Sequence, residues 1–342
     1  MISDSNIHIA LSIWDLTDSY NRHAGATMLS ILKNNLNANR KIIFHLLYDE
    51  SLSVKSPIQA KYNKDKYDEL ILGYNAELQY HNIEADEIFY NLPATSIFTV
   101  ATLFRLYLPQ LLPKIDKILY LDCDVIVNID IVELYDINIQ NVSVAAVQEM
   151  ESSRASLGWN NYYKSINVDV SKIFNAGVML FNLKKIREEH HLLVEGISFF
   201  SHNPNTPYLD QDFLNWEFQN ECLFLNERYN YYPTSFFSDE ERPYNDCIIH
   251  YKSANRKPWK TYSGPIDDYY WKYLSETPWG KESGQLIKYA RESTDRLSFI
   301  YSISSWIYRV PFKQQFKLLW QLSGDLWIKL VKIYFKELMR RL

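Results

Sequence analysis

The segment KILYLDCDVIV, residues 117–127, carries two aspartates at the end of an apolar run. The run predicts a buried β-strand that ends near Asp122 and Asp124, whose alternate side chains point to the same side. Two carboxylates this close repel each other and are costly to desolvate unless a cation neutralises them. The segment therefore favours a divalent-metal site, and the alternative is a pair of turn or helix-capping aspartates.

The first 260 residues alternate short apolar runs with an amphipathic helical pattern at residues 23–35. Strands separated by helices indicate an α/β fold with a largely parallel sheet that is covered on both faces. In such sheets ligands bind beyond the carboxyl ends of the strands, where the two aspartates are expected. The predicted strands are 7–14, 41–49, 117–127, 143–148, 177–183 and 247–251.

Composition limits the class of protein. The 342 residues are 47% hydrophobic and 23% charged, which indicates a folded chain whose length fits one large domain plus an appendage. A net charge of -5, with no basic block in the first two thirds, argues against a nucleic-acid partner. Three cysteines without metal-ligand spacing indicate a reducing compartment, and the sequence has no signal peptide pattern. We therefore expect a cytoplasmic protein.

The C-terminal segment differs in charge from the rest. From residue 285 it has eleven Lys or Arg against four acids, a net charge of +7. If residues 325–342 are helical, an apolar aromatic face lies beside a basic face, as in helices that bind the surface of anionic membranes. The alternatives are docking on the catalytic domain and dimerisation. We predict a domain at 1–280 and a helical, basic and aromatic tail at 281–342, with the inner face of the cell membrane as the partner of the tail.

Five segments, in order, resemble glycosyltransferase family 8, which includes glycogenin and the bacterial lipopolysaccharide glucosyl- and galactosyltransferases. The resemblance implies a GT-A type fold, a Rossmann-like mixed and mostly parallel sheet flanked by helices, here with a basic amphipathic helical C-terminal extension. It also implies a nucleotide-sugar donor, a divalent metal and retention of anomeric configuration. The segments are SIWDLTDSYNRHAGATMLSILKNN, FRLYLPQLLPKIDKILYLDCDVIV, FNAGVMLFNLKKIR, LDQDFLN and IIHYKSANRKPW.

By the same resemblance, the metal ligands are Asp122, Asp124 and His250. Carboxylate oxygens suit hard cations and an imidazole favours a later transition metal, so the set favours Mn²⁺, with Mg²⁺ as the alternative. A histidine after two isoleucines is otherwise a satisfied core residue.

The resemblance also implies a set of residues that bind the nucleotide-sugar. Tyr20 matches a tyrosine that stacks on uracil, and Asp15 lies in the segment that lines the uridine. Lys257 matches a lysine that contacts the pyrophosphate, but its spacing from His250 is one residue longer than usual, so Arg256 is the alternative. The full set is Asp15, Tyr20, Arg105, Asp122, Asn175, Asp210 and Lys257.

Three residues are implied as catalytic: Gln211, Asp210 and Arg105. Gln211 matches the position best placed for a nucleophile, yet an amide is a poor one. We therefore favour front-face displacement, in which the departing phosphate oxygen accepts the proton of the acceptor hydroxyl. Asp210 and Asn175 would bind donor sugar hydroxyls, and Arg105 would bridge the donor sugar and its acidic neighbours. Otherwise Asp210 is a helix N-terminal acid and Arg105 a helix-surface ion pair.

The predicted function is Mn²⁺-dependent, retaining transfer of glucose or galactose from a UDP-sugar. The acceptor would be a saccharide on a lipid or a cell-surface glycoprotein. Trp159, Tyr162 and Tyr163, in the long polar segment after Glu149, either stack on an acceptor sugar or cover the sheet. The alternatives are a catalytically weak GT-A-fold sugar-binding subunit of another glycosyltransferase, and a membrane-surface scaffold that works through the tail.

Overall fold

The computed structural model describes residues 5–14, 20–35, 39–50, 57–93, 99–154, 157–232, 244–252, 257–262 and 264–293. Three predictions fall outside these residues: the uridine contact of Asp15, the role of Arg256 in the loop before Lys257, and the basic helix of the tail.

The described residues form a seven-stranded sheet with the order β3-β2-β1-β4-β7-β6-β8, and a second, two-stranded sheet of β5 and β9. The large sheet is parallel except for β7, which runs antiparallel to both of its neighbours. The mixed, mostly parallel sheet predicted from the sequence is therefore confirmed. The strands are β1 Ile7–Ser12, β2 Ile42–Tyr48, β3 Ala76–Asn82, β4 Lys117–Leu121, β5 Val125–Val127, β6 Val144–Gln148, β7 Phe174–Asn182, β8 Cys222–Leu225 and β9 Ile248–His250.

Helices cover the sheet on both faces. The α-helices are α1 Tyr20–Asn34, α2 Pro57–Leu70, α3 Glu87–Tyr90, α4 Leu108–Leu111, α5 Ile131–Tyr135, α6 Glu151–Arg154, α7 Leu157–Ser165, α8 Leu183–Glu189, α9 Leu192–His202, α10 Asp210–Phe218, α11 Pro265–Ser275 and α12 at 283–293. The 3₁₀ helices are Val100–Tyr107, Val170–Lys172, Glu227–Asn230, Tyr244–Asp246 and Gly280–Glu282.

Side chains along β4 point alternately to the two faces of the sheet, and each face belongs to a separate hydrophobic cluster. Leu119 and Leu121 belong to the cluster under α1 and α11, whereas Ile118 and Tyr120 belong to the cluster on the opposite face. All four side chains are buried, as expected for a strand that is covered on both sides. The next side chain after these four, Asp122, is polar and lies just beyond the carboxyl end of β4.

Helix α1 packs as its pattern predicts, because Ala24, Met28, Ile31 and Leu32 are all buried. On the same helix, a Cβ at Gly25 would lie 2.7 Å from the ring of Trp279. The glycine therefore lets the chain after α11 pack directly on α1.

Three parts of the strand prediction were wrong. The predicted single strand 117–127 is two strands, because the chain turns at 122–124 and β5 joins the small sheet with β9. Strand β3 was missed because its polar sequence AELQYHN lies half-exposed at one edge of the large sheet. Strand β8 was missed because it is a four-residue strand at the other edge.

The predicted domain boundary at 280/281 stays a prediction. Leu286, Ile287 and Ala290 of α12 pack against the core under α1, so residues just beyond the predicted boundary adjoin the catalytic domain. None of the helices in the described part of the chain is both long and apolar enough to cross a bilayer.

Candidate functional site

Asp122 and Asp124 lie in the turn between β4 and β5, at the carboxyl end of β4. The backbone N–H of Asp122 donates to the carbonyl of Gly177 at 2.8 Å, which fixes the start of the turn on β7. Strand β5 pairs with β9 so that Val125 lies opposite His250. The pairing brings the three predicted metal ligands together, because one ligand atom from each residue lies within 4.8 Å of the other two.

The orientation of the imidazole suits a metal ligand. Nδ1 of His250 lies 2.8 Å from the side-chain oxygen of Asn230, so Nδ1 carries the proton and Nε2 offers its lone pair. Nε2 lies 3.3 Å from Oδ1 of Asp124 and 3.8 Å from Oδ2 of Asp122. Oδ1 of Asp124 is buried and has no hydrogen-bond partner among the described residues. Two buried acceptors that face each other are unfavourable unless a cation lies between them, so these residues fit a divalent metal.

The charge on Asp124 is maintained by its neighbours. Burial alone would raise the pKa of Asp124, but the Lys257 ammonium holds it well below its ordinary value. The Lys257 ammonium contacts Oδ2, the other oxygen of this carboxylate. Lys257 also lies 5.8 Å from the ring centre of Trp259, which stacks on His23 at 3.5 Å. The longer spacing from His250 therefore still brings Lys257 to the predicted site.

Arg105 joins the two groups of acidic residues in the site. Its side chain is 1% exposed, and Nη2 donates to Oδ1 of Asp122 at 2.9 Å. Its Nε lies 3.3 Å from Oδ2 of Asp210, and its guanidinium lies 3.7 Å from the ring centre of Tyr120. Burial lowers the pKa of Arg105, but Asp210, Tyr120 and Asp122 more than reverse this effect, so the guanidinium stays charged. The helix-surface alternative is wrong, because this arginine is buried.

Asp210 and Gln211 begin α10 beside Arg105. Burial raises the pKa of Asp210 to about 6, an increase that Arg105 partly offsets. Oε1 of Gln211 accepts from Nδ2 of Asn175 at 3.1 Å and from the backbone N–H of Ala176 at 3.2 Å. Asp210 and Asn175, which the resemblance assigns to the donor sugar, thus lie close to Gln211 and Arg105.

Asp212 anchors the polar segment that precedes β7. Its carboxylate accepts from the hydroxyl groups of Tyr162 and Tyr163, at 2.8 and 2.9 Å, and from the backbone N–H of Tyr208 at 2.8 Å. Burial raises the pKa of Asp212 to about 7. Tyr163 is fully buried, so of the two roles left open it covers the sheet. Trp159 donates to the hydroxyl of Tyr208 at 3.0 Å.

Tyr20 is the first residue of α1 and lies near Trp259. Its ring packs edge-on against His23 and Trp259, with ring centres 5.4 and 6.5 Å away. Burial, with a smaller effect of Asp124, raises the pKa of Tyr20, so its hydroxyl stays protonated. Stacking of Tyr20 on a base stays a prediction.

Two residues next to the metal ligands, Gly177 and Asn230, were not predicted from the sequence. A Cβ at Gly177 would lie 2.3 Å from Cε1 of His250 and 2.8 Å from Oδ2 of Asp122. A glycine inside a strand is a signal of close approach, so FNAGVMLFN offered a way to find it. Asn230, whose side chain contacts His250, follows the sequence NERY, and no pattern in that sequence indicates its role.

A further missed residue is the buried carboxylate of Glu149. It accepts from Nζ of Lys252 at 2.6 Å, from the hydroxyl of Tyr232 at 2.6 Å and from Nδ2 of Asn175 at 3.4 Å. Burial would raise the pKa of Glu149, yet Lys252 and Tyr232 lower it overall, so this group is ionised beside the donor-sugar residues.

Comparisons with known proteins find related sequences and a similar fold. The family profile described as "Glycosyl transferase family 8" matches residues 12–263. The chain is 27% identical to General stress protein A of Bacillus subtilis over 281 residues, 77% of this chain and 92% of the relative. It is 25% identical to the lipopolysaccharide 1,3-galactosyltransferase of Salmonella typhimurium over 268 residues, 75% of this chain and 74% of the relative. The fold matches the solved structure of the galactosyltransferase LgtC with a TM-score of 0.60 and 22% identity, over 80% of this chain and 96% of that one.

Proposed function

The chain belongs to glycosyltransferase family 8 and has a GT-A type fold, and from that premise we propose that it transfers glucose or galactose from a UDP-sugar with retention of configuration. The observation that carries the proposal is the cluster of Asp122, Asp124 and His250 at the carboxyl end of β4, with Lys257 beside it. Such a cluster suits a donor whose leaving group is a diphosphate, because that group carries negative charge and needs fixed positive charge around it.

We propose Mn²⁺ as the metal. Two carboxylate oxygens and one imidazole nitrogen make a mixed set that a later transition metal prefers over Mg²⁺. When bound, the metal would neutralise the charge that develops on the diphosphate. The Lys257 ammonium, which contacts Asp124, is close enough to the ligand set to act on the same charge.

The contacts of the remaining residues support the roles that we propose for them. Arg105 is buried, so it acts by holding Asp122 and Asp210 in fixed positions. Asp210 and Asn175 are the proposed partners of the donor sugar hydroxyl groups. Gln211 is an amide and a poor nucleophile, so we propose front-face displacement. The bond from the anomeric carbon to the phosphate oxygen breaks, the acceptor hydroxyl forms the new bond, and its proton passes to the phosphate.

We propose that the acceptor is a saccharide carried by a lipid or a cell-surface glycoprotein. The name of the Salmonella typhimurium relative supports a lipopolysaccharide acceptor, and the basic tail supports a site at the inner, cytoplasmic face of the membrane. The proposed membrane contact rests on the charge pattern after residue 285, most of which lies beyond residue 293, where the described residues end.

The test is turnover of a donor panel. The full chain is incubated with Mn²⁺, oligosaccharide acceptors and UDP-glucose, UDP-galactose or UDP-N-acetylglucosamine, and the products are identified by mass spectrometry and NMR. We expect one UDP-hexose to be consumed and the new linkage to keep the α configuration of the donor. A product with inverted configuration would contradict the mechanism. UDP binding without turnover of any donor would favour the sugar-binding subunit.

A further inference from the structure

A chain of hydrogen bonds runs from the backbone N–H of Gly177 through two side-chain amides to His250, and it determines which ring nitrogen of His250 carries the proton. The N–H of Gly177 donates to Oδ1 of Asn175 at 3.0 Å. A backbone N–H can only donate, so this contact decides which end of the Asn175 amide is the oxygen. Nδ2 of Asn175 accordingly faces an acceptor, Oε1 of Gln211, at 3.1 Å.

The orientation of the Asn175 amide in turn fixes that of Asn230. Its Nδ2 donates to Oδ1 of Asn175 at 2.8 Å, and its own oxygen therefore points the other way, to Nδ1 of His250 at 2.8 Å. Asn230 is 1% exposed and Asn175 is 6% exposed, so bulk water does not compete for these contacts. Every hydrogen bond from Gly177 to His250 has a defined direction.

We propose that Asn230 is a positioning residue that holds His250 in the tautomer with the proton on Nδ1, and so keeps Nε2 available as a metal ligand. The inference rests on the metal site of the proposed function. Without the Asn230 oxygen, the imidazole could carry its proton on Nε2 and donate it to Oδ1 of Asp124, which lies only 3.3 Å away and has no partner in the described part of the chain. That hydrogen bond would satisfy both groups and oppose metal binding.

The relay also connects the two halves of the site. Asn175 accepts from Asn230 and donates to Gln211, so one amide orients both the metal ligand and the residue proposed to face the donor sugar. Partners that orient a metal ligand typically affect metal affinity by about 10- to 100-fold when they are removed. We expect a loss of this size when the Asn230 acceptor is removed.

The experiment compares two substitutions at one position. Asn230→Leu removes the acceptor, whereas Asn230→Asp keeps an oxygen facing Nδ1. The matched control is Asn128→Leu, because Asn128 is also a buried asparagine, hydrogen-bonded to the carbonyl of Tyr244 and the hydroxyl of Tyr273, away from the metal ligands. Each protein is labelled with ¹⁵N-histidine, and His250 is assigned by the loss of its signals in His250→Gln. Mn²⁺ affinity is measured by calorimetry without any donor.

We expect the Nδ1–H tautomer in the metal-free native chain, in Asn230→Asp and in Asn128→Leu, and the Nε2–H tautomer in Asn230→Leu. Mn²⁺ affinity should fall about 10- to 100-fold in Asn230→Leu and stay within a few-fold of native in Asn128→Leu. An Nδ1–H tautomer in Asn230→Leu would overturn the inference. A native chain that binds no Mn²⁺ would overturn the metal site itself, and the tautomer spectra, which need no metal, would still decide the role of Asn230.

Discussion

Replacing Gly177 with alanine is expected to abolish measurable Mn²⁺ binding and to lower turnover about a hundredfold or more, while the protein stays folded. The added Cβ would lie 2.3 Å from Cε1 of His250 and 2.8 Å from Oδ2 of Asp122, distances at which both ligands must move. Overpacking of this kind typically costs about 1–3 kcal/mol of stability, less than the whole stability of a domain. The measurement is Mn²⁺ titration by calorimetry, with urea unfolding to verify the fold.

Gly196→Ala is the matched control for this prediction. Gly196 is a buried glycine in α9 whose Cβ would lie 3.0 Å from Cδ1 of Leu106 and contact no proposed metal ligand. We expect the control to change stability and to leave Mn²⁺ affinity within a few-fold of native. If Gly177→Ala binds Mn²⁺ as tightly as the native chain, close packing of β7 against His250 does not matter for the site.

The second large effect is expected at Arg105. Replacing it with methionine leaves the buried carboxylate of Asp210 and the partly exposed carboxylate of Asp122 without their common cation. Breaking a buried ion pair by removal of one partner typically costs about 3–5 kcal/mol. We expect a loss of that size in the free energy of unfolding, measured with urea, together with loss of turnover.

Arg228→Met provides the comparison for Arg105. Arg228 also pairs with two acids, Glu133 and Asp246, but all three side chains are at least 30% exposed. Solvent screens such pairs, so the expected loss is below about 1 kcal/mol. Equal losses from Arg105→Met and Arg228→Met would show that Arg105 does not hold the acidic residues of the site together.

The elements of the central site were predictable because their signals are local. An apolar run that ends in DCD places two carboxylates at the end of β4, and IIH places a histidine on a short buried strand. The resemblance to a family joined these segments, and the structure brings Asp122, Asp124 and His250 together through the pairing of β5 with β9. Residues 125 and 250 are far apart in sequence, so no local pattern could have predicted that pairing.

The residues that were missed act through contacts that sequence patterns do not record. Gly177 matters because of the space between β7 and β9, and Asn230 matters because of one hydrogen bond in a buried relay. Tyr163 was ambiguous because an aromatic side chain can cover a sheet or stack on a sugar. Its full burial and its bond to Asp212 decide in favour of the first role.

The central claim is that transfer depends on a metal held by Asp122, Asp124 and His250. The most direct test is the rate of UDP release from the preferred donor by the native chain and by Asp124→Asn, each with Mn²⁺ and with a chelator. Asp130→Asn, at an exposed helix cap, is the control. We predict that the chelator stops UDP release by the native chain and that Asp124→Asn releases UDP more slowly by about a hundredfold or more. The rate of the Asp130→Asn control should equal the native rate. Turnover that persists in the chelator, or at the native rate in Asp124→Asn, would contradict the claim.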